Sequence, residues 1–403
     1  MNVVERLSGV MLRQLWSRYK RAVLLVAVVL LFFLAAIKLS DEFRRLVWEQ
    51  GPTGAIDLKL FLRRVRQWFA GGPVYGNLRS TFPPASFLIF WPFVGWLSLP
   101  AARYLWALTT IVVLVWLCRL IIRESKAKTP LERAFVTFML LSMNAAGVAI
   151  GNGQFILHLL PLLITVALIL GKQDPPAWSN HLRAAGMFLI ALVKPNVTAP
   201  FFWLVVFLPK AVRPAVLVVI GYASLSLASA SFQPVGLISL TRDWLARSEE
   251  WAVLQGYANL HSWLGPLGLY QWLAPASGIT LLALGLWIYL HRNKDVWLLL
   301  AVTALVARFW TYHNMYDDAL ILLPMICLFR IAGSPETENN YDLIAGGLLA
   351  LTLIFMVLPA RMINFPSPWQ YVFTLGHTLV WLLVLLFLGH YTRKVKALPS
   401  GSA

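Results

Sequence analysis

Val23-Leu24-Leu25-Val26-Ala27-Val28-Val29-Leu30-Leu31-Phe32-Phe33-Leu34-Ala35-Ala36-Ile37 is an unbroken apolar run, preceded by Arg6, Arg13, Arg18, Lys20 and Arg21 and followed by Lys38. Such a run leaves no polar face for a water-exposed helix, and the basic residues ahead of it predict a cytoplasmic start. No small-residue cleavage motif comes before Ser40-Asp41-Glu42, so the run reads as a retained first membrane helix with a cytoplasmic N-terminus. Working outward, similar apolar runs lie near 103–121, 134–150, 155–171, 182–193, 197–209, 212–231, 277–291, 296–310, 317–331, 343–359 and 370–389, twelve in all with the first. The expected fold is an all-α polytopic membrane protein with a single integral-membrane domain over 1–403.

Composition agrees. The 403 residues are 59% hydrophobic and 13% charged, about half the charged share of a soluble chain. Mean hydropathy is +0.70. A soluble enzyme is excluded. The net charge of +17 sits mostly beside apolar runs, where it speaks for membrane topology and lipid phosphate rather than nucleic acid. Cys118 and Cys327 stand apart in apolar segments and form neither a disulfide framework nor a thiolate cluster.

A thirteenth run, Phe82-Pro83-Pro84-Ala85-Ser86-Phe87-Leu88-Ile89-Phe90-Trp91-Pro92-Phe93-Val94-Gly95-Trp96-Leu97, is short and broken by prolines. Kept at the outer interface, it leaves 20 Lys and Arg inside and 14 outside; if it spanned, about 11 would lie inside and 23 outside. The first arrangement obeys the positive-inside pattern. It puts both termini in the cytoplasm, with Arg393, Lys394 and Lys396 at the C-terminal end, and makes two large outer loops at about 40–102 and 232–276. In the first loop Leu58 to Trp68 is a basic amphipathic stretch carrying Lys59, Arg63, Arg64 and Arg66, expected to lie on an anionic lipid surface. There is no internal repeat of fixed period.

Polar residues near bilayer depth are functional candidates. Asp57, Gly151-Asn152-Gly153-Gln154, Lys194-Pro195-Asn196 and Trp310-Thr311-Tyr312-His313-Asn314 with Tyr316-Asp317-Asp318 all fall at outer helix ends in this arrangement, where they converge on one outward-facing cavity. Asp57 reads either as a helix N-cap or as a general base. Lys194 either reaches to the interface or, at a proline-broken helix pair, meets a phosphate. His313 reads as a donor to phosphate, and Gln154 and Asn152 as sugar contacts or as a helix-entry turn. No metal cluster is apparent: Asp317-Asp318 lacks further ligands at suitable spacing, and a divalent metal is not indicated.

The order Asp57, Gly72-Pro73-Val74-Tyr75, Phe82-Pro83-Pro84, Gly151-Asn152-Gly153-Gln154, Val193-Lys194-Pro195 and His313-Asn314-Met315-Tyr316 resembles the GT-C superfamily of membrane glycosyltransferases, and within it glycosyltransferase family 87. That family, also known as DUF2029, contains polyprenyl-phosphate-mannose-dependent alpha-mannosyltransferases of bacterial envelopes. Here Phe82 stands where Tyr is frequent and Phe155 where Asn commonly follows Gly-Gln. The resemblance implies an inverting hexosyltransferase of the bacterial cytoplasmic membrane, its site facing outward, with no cofactor. The donor would be a polyprenyl-phosphate sugar, most readily mannose, and the acceptor an envelope glycolipid or glycan.

It further implies Asp57 as general base, with Lys194, His313, Arg63 and Arg64 around the donor phosphate. Sugar or acceptor contacts would come from Asn152, Gln154, Tyr312, Asn314, Tyr316, Trp263 and His261. The 232–276 loop, with Trp244, Trp251, Tyr257, His261 and Trp263, faces the acceptor in this reading or anchors at the interface in another. A secondary transporter shares the helix number but predicts related halves and midplane polar groups. A lipid-linked oligosaccharide ligase or polymerase predicts a late catalytic loop.

Overall fold

The computed structural model describes residues 3–171, 177–209, 212–254, 257–334 and 340–394, and every regular element among them is helical. The Val23–Ile37 run lies inside α1 (Val3–Val47). There follow α2 (Ile56–Phe69), α3 (Pro84–Phe90) with a wider turn over Trp91–Gly95, α4 (Leu99–Glu124), α5 (Pro130–Ser142), α6 (Asn144–Asn152), α7 (Ile156–Leu170) and α8 (Trp178–Ala191). After the break come α9 (Pro195–Thr198), α10 (Phe202–Phe207), α11 (Arg213–Ala230), α12 (Leu237–Leu254), α13 (Leu260–Leu264) and α14 (Leu273–His291). The chain closes with α15 (Val296–Phe309), α16 (Leu322–Ala332), α17 (Tyr341–Val357) and α18 (Trp369–Lys394). Lys396 lies outside the described residues.

Five stretches are long and apolar enough to cross a membrane alone: Arg18–Val47, Leu99–Glu124, Arg213–Ala230, Tyr270–His291 and Trp369–Lys394. α5 and α6 make a sixth if counted as one span bent by 51°. The other apolar runs form shorter helices, because the sequence interrupts them with residues such as Lys194-Pro195 that end a helix. These short helices fill the middle: twelve of the fourteen residues of α15 are buried, as befits a helix apolar on every side. The Phe82–Leu97 run gives only α3 and its turn, about 18 Å long and too short to cross.

The segment between α1 and α4 is built around α2. Its apolar residues Leu58, Phe61, Leu62, Val65 and Trp68 recur at helical spacing and form one buried face. That face does not lie on lipid as the sequence led us to expect. Protein covers it: the Phe61 ring meets Phe82 and Phe90 at 4.4 Å and Phe155 at 5.0 Å. Trp68 stacks on Phe87 at 4.4 Å and donates to the Ser229 carbonyl at 3.0 Å. The approach to α2 is fixed by Arg103 of α4, which donates to the carbonyls of Glu49 at 2.7 Å and Gly54 at 2.9 Å. α12 lies over this segment: Trp244 donates to the Thr81 carbonyl at 2.9 Å and Arg247 to that of Tyr75 at 2.8 Å.

Candidate active site

Four breaks in the helical chain meet at one place. The start of α2 brings Asp57, the turn between α6 and α7 brings Gln154, the break before α9 brings Lys194 and Asn196, and the segment after α15 brings Tyr312, Asn314 and Tyr316. Together with Arg64, Arg79, Thr81, Phe82, Phe155 and Trp251 they line a cavity of about 130 Å³. The turn at Gln154 needs Gly153, which caps α6 at φ 72° and whose missing Cβ would fall 2.6 Å from Cβ of Leu58.

Asp57 is the second residue of α2 and is not its N-cap; that place belongs to Ala55, in the left-handed region at φ 49°, with no side-chain cap. The helix start is tied down instead by the Ala55 amide donating to the Gly151 carbonyl at 3.1 Å. Oδ2 of Asp57 is buried without a hydrogen-bond partner among the described residues. Burial pushes the Asp57 carboxyl above the usual carboxylate range, while Gln154, Lys194, Asn152 and Arg64 act in the opposite direction. A carboxylate with one free oxygen and a raised affinity for protons is suited to accept one.

Cations face it. Lys194 is 5% exposed, lies 4.5 Å from the Tyr316 ring and pairs with Oδ1 of Asp317 at 2.5 Å. Arg64 donates to the Leu78 carbonyl through Nε at 3.0 Å and Nη2 at 2.9 Å, and burial lowers its pKa. Arg79 is held at φ 45° at the cavity wall. The aromatic wall is braced: Asn314 Nδ2 donates to the hydroxyls of Tyr312 at 2.7 Å and Tyr316 at 2.8 Å, and Trp251 Nε1 to that of Tyr312 at 2.8 Å. A small site with one carboxylate, several cations and aromatic walls accommodates an anionic leaving group beside a sugar ring.

The family model of glycosyltransferase family 87 matches residues 81–335, well over half of the chain. The chain belongs to glycosyltransferase family 87. No curated protein and no solved structure matches it. The family 87 region contains Phe82, Gln154, Lys194, Tyr312, Asn314 and Tyr316 of the cavity, while Asp57, Arg64 and Arg79 precede it.

Several residues expected at such a site do not line this cavity. His313 is fully buried behind Asp317, with Nε2 2.5 Å from the Ala307 carbonyl and Nδ1 3.4 Å from Oδ2 of Asp317, so it buttresses that carboxylate and does not face the cavity. Arg63 is exposed and absent from the wall, because successive helical residues point about 100° apart and Arg64 takes the inward direction. Asn152 is bonded through Oδ1 to Arg45 Nη2 at 2.6 Å. His261 is turned to Ser277 Oγ at 2.8 Å, and Trp263 packs against Phe309 at 5.8 Å. Of the tryptophans of the 232–276 segment it is Trp251, in α12, that reaches the cavity.

The acidic pair divides its work. Asp317 belongs to Lys194 and completes a capping box with Asn314. Asp318 accepts from Arg308 Nε at 2.5 Å and from the Tyr257 hydroxyl, and the Arg308 guanidinium lies 5.0 Å from both the Tyr257 and Trp381 rings. Among the described residues no three His, Cys, Asp or Glu side chains gather at metal-ligand spacing. Arg79 and Arg308 carry no signal in sequence spacing; a basic residue in an outer loop and one at a helix end are unremarkable until the fold places them.

Proposed function

We propose that this family 87 glycosyltransferase moves a sugar, most readily mannose, from a polyprenyl-phosphate donor to an envelope glycolipid or glycan by a single inverting displacement. The observation that carries the reading is Asp57, with its free oxygen, lining one small cavity together with Lys194, Arg64 and Arg79. Asp57 takes the proton of the acceptor hydroxyl as that oxygen attacks the anomeric carbon. The bond from the anomeric carbon to the phosphate oxygen breaks, and the electron pair leaves with the lipid phosphate. The developing phosphate charge is met by Lys194, Arg64 and Arg79, so no protonating acid is needed. Gln154, Asn314, Tyr312, Tyr316 and Trp251 are assigned to the sugar and acceptor hydroxyls and ring faces, in place of His261 and Trp263.

The site lies on the outer side of the bacterial cytoplasmic membrane in this proposal, with both termini inside, as the distribution of basic residues favours. The test is transfer by the purified protein from radiolabelled polyprenyl-phosphate-mannose to an extract of envelope lipids and glycans, beside Asp57→Asn. Product with the unsubstituted protein alone supports the reading. Equal turnover by Asp57→Asn removes the base assignment, and no product from any polyprenyl-phosphate sugar removes the donor class.

A further inference from the structure

The hydroxyl of Tyr312 receives two hydrogen bonds and gives none to any described residue. Trp251 Nε1 donates to it at 2.8 Å and Asn314 Nδ2 at 2.7 Å. An indole N–H can only donate. The Asn314 amide is turned one way because its side chain also receives the backbone N–H of Asp317 in the capping box, which leaves Nδ2 for the phenols. The second hydrogen of Nδ2 goes to the Tyr316 hydroxyl at 2.8 Å. Two incoming donors fill the acceptor capacity of a phenol oxygen, so the proton of Tyr312 is left to seek an acceptor elsewhere. Among the described residues no carbonyl or carboxylate takes it, and Asp57 in the same cavity keeps Oδ2 without a partner. The ring is half-buried and lines the cavity, so its O–H is directed at whatever the cavity holds.

We propose that Tyr312 is a further catalytic residue whose O–H is donated to a phosphate oxygen of the lipid-linked sugar, with Asn314 and Trp251 as its positioning residues. The inference rests on the sugar-phosphate reading of the cavity and sharpens it: within the wall given to the sugar, the Tyr312 hydroxyl goes to the phosphate. A sugar hydroxyl brings a proton that itself needs an acceptor, whereas a phosphate oxygen only accepts and matches a group that only donates. The ammonium of Lys194 stands on the same wall, 4.5 Å from the ring of Tyr316, which shares Asn314 with Tyr312. Lys194 is already paired with Asp317, and Arg64 with the Leu78 carbonyl, while the Tyr312 proton has no such rival. As the bond to the anomeric carbon breaks, charge gathers on the phosphate, and a donor already aimed there strengthens its bond without reorganising. The proton stays on Tyr312 throughout. Asn314, with both hydrogens of Nδ2 engaged, serves the ligand through the two phenols.

The test is equilibrium binding of two radiolabelled probes to the purified protein in nanodiscs: polyprenyl phosphate, and polyprenol of the same length, which lacks the phosphate. Tyr312→Phe weakens polyprenyl phosphate about 10–100-fold, as loss of a hydrogen bond to a charged group does, and leaves polyprenol within about twofold. Trp251→Phe, which only loosens the aim of the hydroxyl, weakens polyprenyl phosphate about 2–10-fold and again spares polyprenol. Tyr312→3-fluorotyrosine keeps the shape of the site but carries a more acidic hydroxyl, a better donor and a poorer acceptor. Tighter polyprenyl phosphate in that variant supports the proposal whether or not Tyr312→Phe is recovered folded, and unchanged or weaker binding overturns it. Equal losses for the two probes in Tyr312→Phe overturn it as general loosening. Impaired transfer with unchanged polyprenyl phosphate binding overturns it in favour of a sugar contact. If the unsubstituted protein binds polyprenyl phosphate no better than polyprenol, the phosphate reading of the cavity fails and Tyr312 with it; if it prefers the phosphate and Tyr312→Phe prefers it equally, only the role of Tyr312 fails.

Discussion

Replacing Lys194 with Met separates what the buried ion pair does for the fold from what the ammonium does for the donor. The side chains of Lys194 and Asp317 are 7% and 1% exposed, and they meet at 2.5 Å. Removing one member of a buried pair leaves a charge with neither water nor partner, a loss of about 3–5 kcal/mol. Asp317 keeps the Asn314 amide at 3.2 Å and His313 at 3.4 Å, which places Lys194→Met near the lower end, at about 3 kcal/mol. Adding Asp317→Asn removes the stranded charge, so the double variant recovers stability to within about 1 kcal/mol of the parent. Equilibrium unfolding in mixed micelles reads the stability, and transfer from polyprenyl-phosphate-mannose reads the function. The double variant regains the first and not the second if, as proposed, the ammonium faces the donor phosphate. A single variant as stable as the parent would refute the buried pair, and a double variant with restored transfer would refute the phosphate role of Lys194.

The raised pKa of Asp57 has a signed consequence: it is stability present below the unfolded value of 3.8 and lost as pH rises through the folded pKa. Asp57→Asn is therefore more stable than the parent at neutral pH and loses that advantage in acid, as unfolding at several pH values will read, while transfer by the parent falls away on the acid side above the ordinary carboxylate range. Arg64→Ala lowers kcat/KM for the donor about 10–100-fold and Arg63→Ala changes it less than about twofold, since only Arg64 faces the cavity. Gly153→Ala, at φ 72° and against Leu58, destabilises by about 1–3 kcal/mol and lowers transfer by shifting α2; unchanged unfolding and activity would contradict the close approach.

Much of the cavity is legible in the sequence because a membrane chain has few places for polar residues. Gly153-Gln154, Lys194-Pro195 and Tyr312 to Tyr316 each interrupt an apolar run, and an interruption marks both a helix end and a candidate contact. Direction is not legible in this way. Arg63 and Arg64 are neighbours with the same chemistry, and only the aromatic bed of Phe82, Phe90 and Phe155 under Phe61 decides which of them turns inward. The same bed keeps the apolar face of α2 off the lipid, and it joins two rings of the Phe82–Leu97 run to Phe155, from a segment far along the sequence. Trp251 reaches the cavity and Trp263 does not because α12 is fastened to the segment before α3 by Trp244 and Arg247. His313 stood out as a lone histidine beside polar residues, but its partner Asp317 is four residues on, and the turn folds the ring inward.

The burial of Arg308 bears on how the chain is made. α15 contains no acidic residue, so its one guanidinium has no counter-charge on the helix that carries it into the membrane. Asp318 emerges nine residues after the helix ends, and Tyr257, which closes the other side of that carboxylate, was made long before. During synthesis α15 thus waits for the segment that follows it, and the natural unit of insertion is α15 with α16 as a hairpin, docking against the Tyr257 segment already in place. Chains halted at residue 312 and at residue 334 would differ on this account: a cysteine placed in α15 would be open to a water-soluble thiol reagent in the first and shielded in the second.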